Sequence, residues 1–205
     1  MTVGSLPPIT RTLLVSCAAV YGLQLLGFDV LLVEWFALWP LHGGRFLEPF
    51  HSWQLISYSF LHGGTLHLLL NLFALYMFGP QIERLLGRQR FLTYWFTCVI
   101  GAATMQLLVQ WHAPVGSGSP TVGASGGIFG LLLAFGMAWP RRRVMLLLPP
   151  IPMPAWLFVT LYGLIELGLG ITGNQASVAH FAHLGGMAGG LLLILWWRYR
   201  ASSTR

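Results

Sequence analysis

The chain has 205 residues, 56 % of them hydrophobic and 8 % charged, with a formal net charge of +6 and a mean hydropathy of +0.70. An ordinary globular domain carries about 25 % charged residues, so this composition excludes a water-soluble particle and implies a chain that crosses a membrane several times. The positive charge does not mark a nucleic-acid partner: all 11 basic residues are arginines, held in short clusters between apolar runs, which is a topology signal.

A helix rises about 1.5 Å per residue and the hydrocarbon core is about 30 Å thick, so a span takes about 20 residues. Six segments meet that requirement, at about 12–33, 62–82, 91–112, 125–139, 155–172 and 178–197. They predict an all-α membrane protein, a six-helix bundle forming a single domain over 1–205. The first segment has no small-residue cleavage site after it and is expected as a retained span. A long connection, about 34–61, follows. It carries Trp35, Phe36, Trp39, Phe46, Phe50, Trp53 and Tyr58, amphipathic rings that favour the interface, so the loop is expected to associate with the membrane. The second span holds His67 and, one turn deeper on the same face, Asn71. "APVGSGSP" at 113–120 separates the third and fourth spans, and "GNQAS" at 173–177 separates the fifth and sixth. "PPIPMP" at 149–154 precedes the fifth span and cannot be helical throughout. Cys17 and Cys98 lie inside apolar runs, so no disulfide framework is expected.

Arginine placement gives an orientation. With six spans, Arg11, the Arg84–Arg88–Arg90 cluster, Arg141 to Arg143, and the Arg198–Arg200–Arg205 cluster all fall on one side; only Arg45 falls on the other. The positive-inside rule then puts both termini in the cytoplasm of a multi-pass protein of the cell (inner) membrane.

Chemistry concentrates at "TVGASGGIFG", residues 121–130. Ser125 sits there in a G-x-S-x-G frame, which in hydrolases marks a nucleophile on a tight turn. His183 lies about five residues, or roughly 8 Å, into the sixth span. His67 lies at a similar depth in the second. Polar groups are costly in lipid, so their shared depth predicts a hydrated cavity. His183 is the candidate base for the Ser125 hydroxyl. The Asn71 amide, a His67 N–H and backbone amides at the head of the fourth span are candidate oxyanion donors. Gly123 permits an unusual turn. The pairs Gly126/Gly130 and Gly186/Gly190 are G-x-x-x-G spacings that let helix backbones approach closely.

Several residues admit a second reading. Ser125 is also a good helix N-cap. Glu166, an acid inside the fifth span at about the depth of His183, either orients His183 or meets a polar partner elsewhere; the structural reading is preferred. His180 is an accessory candidate. A metal or haem site is not expected: on a regular helix His62 and His67 would be about 140° apart, and no carboxylate-rich or thiolate cluster completes a ligand set. His42, His51 and His112 look interfacial.

The motifs together resemble the rhomboid intramembrane serine proteases over nearly the whole chain. "GASG" at 123–126 is similar to that family's G-x-S-G motif, "AHLGGMAGG" at 182–190 to its A-H-x-x-G-x-x-x-G pattern, and "HGGTLHLLLN" at 62–71 to its H-x-x-x-x-H-x-x-x-N pattern. "GPQIERLLG" at 79–87 places Glu83 at a structural acidic position. The resemblance implies a Ser125–His183 dyad, His67 and Asn71 at oxyanion positions, and cleavage of membrane-anchored proteins in or near their transmembrane segment. It implies no cofactor; the partners are transmembrane protein substrates and the lipid bilayer. Two positions depart from the family's habit: Trp53-Gln54 stands where Trp-Arg is common, and Phe129 where a tyrosine is common. The alternative is a non-catalytic rhomboid-like protein that binds transmembrane clients; such a protein should lack the nucleophile or the base, and both are present.

Overall fold

The computed structural model of the chain describes residues 5–41, 49–111, 119–145, 150–172 and 179–203. His42, Arg45, Phe46, His112, Arg205, the 173–177 break and most of the 113–120 break lie outside the described residues.

The chain folds as a mostly helical membrane protein. In order, the helices are α1 (Pro8–Leu23), α2 (Asp29–Phe36), the short α3 (Gln54–Ser57), α4 (Thr65–Leu86), α5 (Arg88–Gln110), α6 (Ser125–Ala138), α7 (Ala155–Thr172) and α8 (His180–Ser203). Five apolar stretches among the described residues are long enough to cross a membrane: α1 with α2 as Pro8–Phe36, then α4, α5, α7 and α8. α6, at 14 residues, is apolar but shorter. The predicted spans at 62–82, 91–112, 125–139 and 155–172 fall within a few residues of α4 to α7. The first span, Pro8–Phe36, and the last helix, α8, run longer than predicted.

Hydrophobicity is turned outward. Leu25, Leu26, Val30, Leu66, Leu164, Ile171 and Leu192 are exposed, as lipid-facing side chains must be, while Asn71, Glu83, Glu166, His180 and His183 are buried. α6 is the helix enclosed by the others. Ten of its residues are buried, and it packs against α4, α5, α7 and α8.

Two departures from a regular six-helix reading have local causes. The first span breaks at a π-turn, Gln24–Phe28, where Gly27 has φ +97°; only glycine adopts that angle without strain. The break turns Gln24 inward. Its Nε2 donates to Asp29 Oδ1 at 2.7 Å and to the His62 carbonyl at 3.1 Å, and its Oε1 accepts from His62 N–H at 3.0 Å. Secondly, the proline-rich stretch before α7 forms a strand, β2 (Pro152–Pro154), paired antiparallel with β1 (Arg143–Met145). Prolines fit a two-stranded ribbon because an edge strand does not need every N–H.

Glu83 joins the ends of two helices. Its carboxylate accepts from Ile9 N–H at 3.0 Å, Thr10 N–H at 2.7 Å and Thr10 Oγ1 at 2.7 Å. These amides are the orphan donors at the start of α1, and a negative charge suits that end of the helix dipole. Glu83 is 2 % exposed, so water cannot replace it. Glu83→Ala is expected to cost about 3 kcal/mol, the order expected when buried donors lose a charged acceptor. Glu83→Gln, which keeps one acceptor oxygen, should cost less. Thermal unfolding in detergent checks both; an unchanged midpoint for the alanine variant would show that the α1 donors find other partners.

Candidate active site

The polypeptide around Ser125 is held before α6 begins. Leu38 and Thr121 form a two-way backbone bridge, with Leu38 N–H donating at 3.0 Å and Thr121 N–H at 2.9 Å. Gly123 N–H donates to the Tyr58 carbonyl at 3.0 Å. Gly123 has φ +121°, and a Cβ there would come within 2.8 Å of the His67 ring. Glycine is thus required twice over, by backbone angle and by space.

Ser125 is the first residue of α6, and Ala124 occupies the cap position with no side-chain capping bond. The N-cap reading of Ser125 is therefore corrected: its hydroxyl does not turn back onto the helix. Instead Ser125 Oγ lies 2.8 Å from His183 Nε2 on α8. The His183 ring stacks on Phe129 with centroids 4.3 Å apart and planes 6° from parallel. Phe129 is one turn after Ser125, so a single helix face presents both the hydroxyl and the ring that fixes its partner.

Glycine brings α6 and α8 to this distance. A Cβ on Gly186 would collide with the Gly126 carbonyl, and one on Gly130 would stand 3.2 Å from the Gly186 carbonyl. The third wall is α5, where a Cβ on Gly101 would lie 2.7 Å from the Gly185 carbonyl and 3.2 Å from Gly189 Cα. Tyr94 Oη donates to the Gly130 carbonyl at 2.7 Å. The sequence motifs pointed to the α6–α8 approach; nothing in them marked Gly101.

His67 and Asn71 stand on α4 beside this segment. Gly63 N–H donates to His67 Nδ1 at 3.4 Å, so in the neutral ring the proton belongs on Nε2, on the edge of the ring that faces Gly123. Asn71 Nδ2 donates to the His67 carbonyl at 2.8 Å; a primary amide has a second N–H to offer. α4 begins at Thr65, so His62 precedes the helix. The 140° separation expected from His67 therefore does not hold, and the two rings meet edge to face at 5.2 Å. Burial, with His67 beside it, pushes the His62 pKa down to about 4, so His62 is a neutral wall behind His67.

Glu166 and His180, weighed as accessory residues, come to the same place. Glu166 Oε2 is 2.7 Å from His180 Nδ1 and 2.9 Å from His183 Nδ1, and all three residues are buried. The ligand atoms of the three lie within 4.8 Å of one another, a His₂Glu set of a kind that holds zinc elsewhere. Spacing along the chain does not reveal this cluster, because its members come from two helices.

Gln54, at the Trp-Gln departure, is fully buried. Its Oε1 accepts from Trp39 N–H at 3.2 Å and its Nε2 donates to the Trp35 carbonyl at 3.4 Å. His51 stacks on Trp53 with centroids 4.3 Å apart and on Trp35 at 5.8 Å. A neutral amide thus anchors this loop.

The family model for the Rhomboid domain matches residues 49–200. Rhomboid protease GlpG from Yersinia pestis (strain Pestoides F) is 28 % identical over 199 residues, covering 92 % of this chain and 62 % of that protein. Rhomboid protein 1, mitochondrial, from Saccharomyces cerevisiae is 30 % identical over 178 residues, covering 82 % of this chain and 50 % of that protein. The chain thus spans between half and two thirds of the length of these curated relatives.

The helix contact can be tested directly. Gly186→Ala would drive a methyl into the α6 backbone; such overpacking costs about 1–3 kcal/mol and should separate His183 from Ser125. Reaction of Ser125 with a serine-directed fluorophosphonate is expected to fall at least about tenfold, the factor that 1.4 kcal/mol represents. Gly168→Ala on α7, where a Cβ meets nothing within 4 Å, should leave labelling unchanged. Equal labelling of both variants would show that the α6–α8 approach does not set the pair.

Proposed function

The chain belongs to the rhomboid family, and on that premise we propose that it is an intramembrane serine endopeptidase that cleaves membrane-anchored proteins in or near their transmembrane segment. The observation that carries this reading is the 2.8 Å approach of Ser125 Oγ to His183 Nε2 between two different helices.

The geometry supports the following course. Ser125 Oγ attacks the scissile carbonyl carbon while its proton passes to His183 Nε2. The resulting oxyanion is met by the Ser125 N–H, the His67 Nε2–H and the free Asn71 N–H; a donor of this kind contributes about 3 kcal/mol. Collapse of the tetrahedral species breaks the C–N bond, and His183 returns the proton to the leaving amine. Water then attacks the acyl carbon as its proton passes to His183; collapse breaks the acyl C–Oγ bond, His183 returns the proton to Ser125 Oγ, and the carboxylic acid product leaves. The chain's own residues suffice for this sequence, and no cofactor is assigned to it.

We read α6 as a sixth span, shorter than the rest, within a single domain. Both termini then lie in the cytoplasm of a cell-membrane protein, and Ser125 opens toward the outer face. The connection between the first two spans lies in the outer interface; its exposed Trp35 and Trp53 support that placement. A transmembrane substrate must enter from the lipid. α7 is the proposed gate, since only Ala155, Phe158, Val159 and Glu166 of its 18 residues are buried.

Two measurements test this. Ser125→Ala and His183→Ala should each abolish fluorophosphonate labelling and cleavage of a transmembrane substrate in detergent; activity surviving both substitutions would end the protease reading. Cross-linking α7 to α4 should block cleavage of that substrate yet leave labelling by the small fluorophosphonate intact. Unimpaired cleavage would put the entrance elsewhere.

A further inference from the structure

Two nitrogens define the state of His183. Nε2 faces Ser125 Oγ at 2.8 Å, and Nδ1 faces Glu166 Oε2 at 2.9 Å. The same carboxylate oxygen is 2.7 Å from His180 Nδ1. Glu166 is 8 % exposed, His183 8 % and His180 5 %. A carboxylate held away from water inside a span requires polar partners; His180 is hydrogen-bonded to this one and His183 Nδ1 faces it at 2.9 Å.

The tautomers follow. With a proton on each Nδ1, Oε2 accepts from His180 and stands 2.9 Å from the His183 N–H, and His183 Nε2 presents its lone pair to Ser125. The opposite tautomer would set the Nδ1 lone pair against a carboxylate oxygen 2.9 Å away and aim an N–H at Ser125, leaving no base. The approach to His183 Nδ1 is off the N–H axis, so Nδ1 lacks an aligned partner at rest; catalytic hydrogen bonds commonly tighten only when substrate binds. A metal would need different spacing. Ligands about 2.0–2.1 Å from a tetrahedral zinc lie about 3.3 Å from one another, whereas 2.7 and 2.9 Å are hydrogen-bond lengths.

We propose that Glu166 is the positioning residue of the His183 base, and that His180 clamps the carboxylate, so that the site works as a Ser125–His183–Glu166 relay. This rests on the serine-protease reading above. During attack the Ser125 proton moves to His183 Nε2, the ring becomes an imidazolium with both nitrogens protonated, and Glu166 stays ionised and faces that charge. The proton then leaves from Nε2 to the amine; none passes to Glu166. His180 and His183 are three apart on the first turn of α8 and share a face, so one carboxylate from α7 reaches both.

The test uses the full chain in detergent with nitrogen-labelled histidine. In the wild type, imidazole NMR should show His183 protonated on Nδ1 and bare on Nε2. Glu166→Gln should lose the preference for that tautomer and cut kcat on a transmembrane substrate by about 10²–10⁴-fold with KM within threefold; the upper figure is what the comparable Asp→Asn change costs a Ser-His-Asp triad. Glu166→Asp should recover at least part of that loss, and His180→Ala should fall between wild type and Glu166→Gln. A wild-type spectrum with the His183 proton on Nε2 overturns the relay, and this holds even if Glu166→Gln fails to fold. A folded Glu166→Gln with wild-type kcat overturns it equally. The two readings fail separately: if Ser125→Ala and His183→Ala are dead while Glu166→Gln is fully active, only the relay is lost. Activity in both of the former removes the protease itself.

Discussion

The contact between the Gly126 carbonyl and Gly186 Cα is the constraint on which the site depends. Lipid tails are as apolar as leucine, so helices in a bilayer gain little by hiding hydrophobic surface from one another. They associate through close packing and polar contacts. Here α6 and α8 touch backbone to backbone, and Ser125 and His183 ride one residue and three residues before that contact. α5 closes the arrangement. Ala102 fills the space beside Gly126, and Cys98 lies against both Gly130 and Gly190. A side chain added at any of these glycines would act on the Ser125–His183 contact through the distance between helix axes, without touching either residue.

Length supplies the second constraint. α6 has 14 residues, about 21 Å of helix, against about 30 Å of hydrocarbon. At least one of its ends must therefore stop short of the membrane surface. Irregular backbone at such depth is tolerated only where it is buried in protein or lines water. The segment from Thr121 to Ala124 meets that condition through its bonds to Leu38 and Tyr58, and Tyr58 is itself anchored by donating to the Val99 carbonyl at 2.8 Å. The loop after α2 therefore does more than connect spans: it satisfies the backbone that precedes Ser125.

Hydropathy and turn residues located α4 to α7 closely because an apolar run of fixed length leaves a helix little choice. The same measure passed over the break at Gln24–Phe28, since Gly27 hardly alters the average hydrophobicity of the first span. It also missed the β1–β2 ribbon, because three-residue strands carry no usable period. Motif spacing brought Ser125, His183, His67 and Asn71 under consideration together, and the fold sets Ser125 beside His183. What spacing could not supply was any relation between spans. Glu166 is 14 residues from His180, and Gln24 is 38 from His62. Gln54 looked like a lost arginine, yet a buried neutral amide does the anchoring.

Two buried acids show how the partner decides the role. Glu83 is met by two backbone amides and a threonine hydroxyl. None of these groups gains or loses a proton in any accessible state, so the field at Glu83 is constant and its effect is spent on holding α1 to α4. Glu166 is met by two imidazoles, and one of them faces a hydroxyl that can give up a proton. On the proposed mechanism, its interaction with His183 changes strength as that ring becomes charged, which is the property a transition state can use. A carboxylate with inert donors stabilises a fold equally at every moment of a reaction. One whose donor changes charge stabilises some moments more than others, and on that ground alone Glu166 differs from Glu83.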